Sequence, residues 1–118
     1  MSIYQEIILD HSSKPRNTGS ISNPSQTVQV HNPLCGDKIK MDIQITKGVV
    51  ADIRYMPKGC AISKASASLL SEYVKGKTAI DLKKLTKKDI MKMLGIELGP
   101  NRIKCALLPL EALHKLLI

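Results

Sequence analysis

The chain has 118 residues, 43% of them hydrophobic and 24% charged, with a formal net charge of +8. That length is read as one domain over residues 1–118, large enough to bury a core without disulfide staples. No apolar run approaches the roughly 20 residues of a membrane span, and Met1–Glu6 has no basic, cleavable leader, so the expected location is the cytoplasm.

Ser2 and Gln5 form a capping-box pattern, and Ile3, Ile7 and Ile8 then fall on one helical stripe. Pro15 stops this helix near Ser13. Residues 15 to 25 are rich in Pro, Asn, Ser and Gly and read as loop. Alternation begins at Val28 and Val30 and continues through Ile39, Met41, Ile43 and Ile45, the pattern of half-buried strands. Lys47-Gly48 reads as a hairpin turn into a third strand, with Ala51, Ile53 and Tyr55 expected inward. Residues 61 to 75 read as a helix starting at Cys60 and closed by Gly76. Thr86 and Asp89 frame a short helix through Leu94, ended by Gly95. Gly99-Pro100 reads as a turn. A last helix is expected from about Cys105 to Leu117 on the stripe Leu107, Leu110, Leu113 and Leu117. Pro109 is tolerable only in a first turn, so the regular helix is expected to begin near Leu108. The fold class is α+β: a small three-stranded antiparallel sheet with helices packed against it.

From Lys75 to Lys92 seven lysines face only Asp81 and Asp89. Such a surface could meet nucleic acid or an acidic protein. A solvated helix face is the preferred reading, because single-strand binders stack bases on aromatics and the chain has no Trp or Phe.

The odd count of three cysteines argues against a closed disulfide framework. Buried, inert thiols are the plain alternative. Cys60 and Cys105 are both expected at helix N-termini, where the dipole favours the thiolate that binds soft metals and attacks sulfur. Gly36 and Gly59 flank two of the cysteines, and Arg102 and Lys104 add positive charge near the third. With Asp37 the thiols would make a Cys₃Asp site with one hard, easily displaced member. The spacing is not that of a zinc finger or ribbon: Cys35 and Cys60 lie 25 residues apart, and Cys60 and Cys105 lie 45 apart.

The strings Asn32-Pro33-Leu34-Cys35-Gly36-Asp37 and Gly59-Cys60-Ala61-Ile62-Ser63, with the late Cys105, resemble the three-cysteine signature of U-type iron–sulfur scaffold proteins, the IscU, SufU and NifU N-terminal family. The opening Tyr4, Ile8-Leu9-Asp10-His11 and Pro15-Arg16-Asn17-Thr18-Gly19 resemble that family's N-terminal motif. The resemblance implies Cys35, Asp37, Cys60 and Cys105 as ligands of a transient [2Fe–2S] cluster or of Zn²⁺. It implies a cysteine desulfurase as sulfur donor and apo iron–sulfur proteins or carriers as recipients. It favours a non-enzymatic scaffold. A zinc-dependent sulfur carrier is the alternative, with Cys35 and Cys105 as candidate persulfide acceptors. A structural zinc site with a nucleic-acid-binding face is the disfavoured third.

Three departures stand out. Lys104 occupies the position of the histidine that precedes the third cysteine in IscU-type members, and Arg102-Ile103-Lys104-Cys105 resembles the SufU branch. The insertion that SufU proteins carry between the second and third cysteines is missing. Gly99-Pro100-Asn101 stands where IscU has a Pro-Pro motif. His31 could reach the site but reads first as a hydrogen-bonding loop histidine. His11 reads as a helix C-terminal residue favoured by the dipole, His114 as a surface residue, and Tyr4 as a partner contact or a packed core residue.

Overall fold

The computed structural model describes residues 3–33 and 36–117, apart from the side chain of Tyr4. The expectations for Ser2, Cys35 and the Tyr4 side chain fall outside these. In chain order the elements are α1 (Ile3–Ser13), β1 (Gln26–His31), β2 (Lys38–Thr46), β3 (Val49–Lys58), α2 (Ala61–Val74), α3 (Ala79–Leu82), α4 (Lys87–Leu94) and α5 (Pro100–Leu116).

The three strands form an antiparallel meander in the order β1-β2-β3. Lys47 and Gly48 both have positive φ, 53° and 77°, the left-handed pair that suits a two-residue hairpin of right-twisted strands. Ile39, Met41 and Ile43 of β2 are buried as their alternation requires. Asp42 breaks the pattern, being buried too. Its carboxylate accepts the Thr27 hydroxyl at 2.5 Å and the Ile21 amide at 3.0 Å, which tethers the preceding loop to the sheet.

In β3 the expected inward set needs correction. Ile53 and Tyr55 are fully buried, but Val50 takes the inward place expected of Ala51, which is exposed. A register shift between Gln44 and Ile45 causes this: Gln44 pairs with Asp52 and Ile45 with Val50, so Ala51 is the extra residue of a bulge.

Helix α2 lies at the centre of the helical layer, packed on α1, α4, α5 and β3. Its buried face is made of small residues, Ser63, Ala65, Ser66, Ala67, Ser68 and Ser71, together with Leu70 and Val74. Small side chains let neighbours approach closely, and the serines are buried because each hydroxyl has a partner. Ser66 donates to the Ala106 carbonyl at 2.6 Å, Ser71 to the Ser68 carbonyl at 2.7 Å, and Ser63 to the Cys60 carbonyl at 3.1 Å. Ser68 meets His11 Nδ1 at 2.6 Å and accepts the Arg16 amide at 2.9 Å. Gly76 follows the helix with φ of 83°, as its C-terminal reading required.

Helix α4 carries the Thr86–Asp89 capping box and ends at Gly95 in a left-handed conformation. Helix α3, four residues capped by Thr78, was not anticipated, being too short for a periodic signal. In α1, Ile8 and His11 are buried while Ile3 is 66% exposed, so the expected apolar stripe omits its first member.

Helix α5 corrects the expectation most. It starts at Pro100, with Gly99 as N-cap, and runs unbroken through Pro109. Pro109 has no N–H for the Cys105 carbonyl four residues earlier, a defect costing about 3 kcal/mol in an isolated helix. Burial of Leu108, Leu110, Leu113 and Leu116 offsets it, since each leucine contributes about 1.5–3 kcal/mol. Cys105 therefore lies in the second turn of a helix, not at its N-terminus, and the expected dipole assistance for that thiol is withdrawn.

Candidate metal centre

Three separate elements carry the site. Asp37 immediately precedes β2, Cys60 lies between β3 and α2, and Cys105 lies in α5. The loop ahead of Asp37 folds onto itself: the Gly36 amide donates to the Asn32 carbonyl at 2.8 Å, and the Asn32 amide to the Asp37 carbonyl at 2.7 Å. These bonds hold a carboxylate that is only 3% exposed.

Cys60 is the N-cap of α2, in extended conformation with φ −77° and ψ 166°. Its amide donates to Asp37 Oδ1 at 3.2 Å, and its thiol lies 3.2 Å from Asp37 Oδ2. A carboxylate at a helix start is favoured by the unpaired amides and the dipole there. Gly59 makes the approach possible. Its φ is 153°, and a Cβ built on it would collide with the Asp37 carboxylate. This role of Gly59 was not anticipated beyond its flanking a cysteine.

Oxygen and sulfur atoms of Asp37, Cys60 and Cys105 all lie within 4.8 Å of one another. Asp37 and Cys105 are buried, and Cys60 is half-buried. Tetrahedral zinc with bonds of about 2.0–2.3 Å places its donors about 3.3–3.8 Å apart, so this trio needs little movement to close on one ion. The structure thus brings together three of the four expected ligands; Cys35 lies outside the described residues. His31, at the end of β1, is exposed and stands outside this trio. Helix α2 also links the two cysteines mechanically. Its first residues follow Cys60, and its Ser66 hydroxyl bonds the Ala106 carbonyl next to Cys105. Nothing in the sequence marked Ser66 for this.

Behind α2 the N-terminal motif forms a polar clasp. Arg16 Nη2 meets Asp10 at 2.6 Å, a contact that lowers the Asp10 pKa and raises that of Arg16. Asn17 Nδ2 donates to Ser71, and the Asn17 carbonyl accepts the Tyr55 amide at 3.2 Å. Burial pushes the Tyr55 phenol up to about 12. Burial, helped by the nearby Arg16 charge, pushes the His11 pKa down, against Glu72 and Asp10. His11 lies in the last turn of α1, as expected, and its ring is buried against Ser68. His114, expected at the surface, is half-buried, and its Nε2 has no hydrogen-bond partner among the described residues.

Comparison with known proteins bears on the family and the fold. The zinc-dependent sulfurtransferase SufU of Bacillus subtilis is 35% identical, over 96% of this chain and 88% of its own length. That alignment spans 130 positions, more than the 118 residues of this chain, so residues of the relative have no counterpart here. The iron–sulfur cluster assembly scaffold protein IscU of Escherichia coli is 37% identical, over 93% of this chain and 88% of its own length. A crystal structure of a proposed SUF-system assembly scaffold from Fervidobacterium islandicum superposes with a TM-score of 0.86 at 26% identity, covering 98% of this chain and 97% of its own. The family model described as the NifU-like N-terminal domain matches residues 3–117. The chain belongs to the NifU-like N-terminal domain family of U-type iron–sulfur scaffold proteins.

Proposed function

We propose that this chain is an iron–sulfur cluster assembly scaffold of the cytoplasm. It accepts sulfur from a cysteine desulfurase, holds iron and sulfide as a transient [2Fe–2S] cargo on Cys35, Asp37, Cys60 and Cys105, and passes it to apo iron–sulfur proteins or carriers. One observation carries the reading: a buried carboxylate and two thiols from three separate parts of the chain converge within 4.8 Å. Thiolates hold the cargo iron, and the harder Asp37 oxygen is the bond that gives way on release. In the sulfur-transfer step the thiolate of Cys35 or Cys105 attacks the outer sulfur of the donor's persulfide. A new S–S bond forms as the donor's breaks, the donor cysteine leaves as thiolate, and an external two-electron donor then reduces the transferred sulfur to the sulfide of the cargo.

The likeness to SufU and the Lys104 side chain in place of a nitrogen ligand support a second reading, zinc-gated sulfur transfer. Zn²⁺ bound to the same four residues would keep the thiols deprotonated. Metal and sulfide analysis of anaerobically purified protein, with its visible spectrum, separates the two. Iron with equimolar sulfide supports the scaffold, zinc without sulfide supports the carrier, and a protein that takes up neither overturns both.

A further inference from the structure

Two open depressions, of about 390 Å³ and 410 Å³, lie along α5 and share Leu107 and Glu111 as walls. The first begins at Pro33 and Lys104, beside the loop to Asp37 and the residue before Cys105. The second continues past Leu110 to Lys115, with Lys87 of α4 on its far side. Lys104, Leu107, Leu108, Glu111 and Lys115 follow helical spacing, so one face of α5 forms the floor of a continuous groove. Leu107 is half-buried on that floor, and Leu108 and Leu110 are buried beneath it. Among the described wall residues Lys87, Lys104 and Lys115 are exposed, and one is acidic, Glu111, which faces Lys115 at 3.6 Å.

We infer that this groove docks an acidic, amphipathic segment of a protein partner and leads that segment to the thiol site. Leu107 between Lys104 and Lys115 on α5, with Lys87 across from them, matches a segment with apolar residues on one side and carboxylates on the other. A polyanion such as nucleic acid fits less well, because the leucine floor offers its bases no aromatic platform. The relation of the groove to sulfur or metal delivery rests on the function proposed above; the docking itself does not.

The test therefore reads binding alone. The probe is a fluorescein-labelled helical peptide of about 14 residues, with leucines at i, i+3, i+4 and i+7 and glutamates elsewhere. A scrambled peptide of the same composition is the control. Saturable binding, with ¹⁵N amide shifts centred on Leu107, Glu111 and Lys115, is expected. Lys87→Glu with Lys115→Glu should weaken it about tenfold. The neutral pair Lys87→Gln and Lys115→Gln should weaken it less, and unchanged unfolding curves would show that both variants fold. Three outcomes overturn the inference: no saturable binding, shifts centred on Lys83, Lys84 and Lys88 instead, or equal binding of the scrambled peptide. Loss of metal binding by the protein would leave these readouts untouched.

Discussion

Asp37 holds Cys60 twice: one carboxylate oxygen accepts the cysteine's amide at 3.2 Å, and the other lies 3.2 Å from its sulfur. The same side chain thus fixes the start of α2 and stands ready as a ligand.

Replacing Asp37 by alanine removes the hard member of the donor set and leaves thiolates alone to hold iron. The visible chromophore of the reconstituted variant should decay at least about threefold more slowly than that of the parent, since softer sulfur ligands hold the cluster more firmly. Equal or faster bleaching would count against a release role for Asp37.

Gly59→Ala tests the close approach. The new methyl meets the Asp37 carboxylate, and the backbone stays at a φ of 153° that costs an L-residue about 1–3 kcal/mol. Lower zinc affinity in a chelator competition is expected, with native helical content by circular dichroism. Parent-like affinity would show that the carboxylate can move aside without consequence.

Ser66→Ala removes the 2.6 Å bond to the Ala106 carbonyl. A loss of about 1 kcal/mol in urea unfolding is expected, as for a single buried hydrogen bond. Metal affinity should fall as well, because the bond joins the helices that position Cys60 and Cys105. A stability loss with unchanged metal affinity would separate the two effects.

His11 predicts a pH dependence. Its pKa is lowered in the folded protein, first by burial and then by Arg16. The unfolded chain therefore binds the proton more readily than the native one, and stability from the neutral ring is present above the ordinary value of about 6.5. That contribution falls away as pH drops through the depressed folded value. The difference in melting temperature between pH 7.5 and pH 5.5 should be smaller in His11→Gln than in the parent. Identical differences would place the acid sensitivity elsewhere.

Much of this molecule can be read along the chain. The sheet shows in the alternation from Val28 to Tyr55, and the ends of the elements in Lys47-Gly48, Gly76, Thr86 and Gly95. What escapes reading depends on contacts between distant residues. The bulge that exchanges Val50 for Ala51 arises from pairing with β2. The start of α5 was misplaced because local propensity penalises Pro109, while buried leucines tens of residues from their partners outweigh it. The serines of α2 look like a polar face until His11, Arg16 and Ala106 supply their partners. At the site, separations of 25 and 45 residues carry no metal signature. The flanking motifs point to Cys35, Asp37, Cys60 and Cys105 only through a family resemblance, and only the fold shows that Gly59 makes room for the Asp37 carboxylate.

Pro109 lies inside α5 without interrupting it. Cys105, Ala106 and Leu108 are buried ahead of it, and Leu110, Leu113 and Leu116 after it. The helix is thus seated in the core on either side of a residue that cannot donate a backbone hydrogen bond. A thiol carried this way takes its place from the core rather than from a loop.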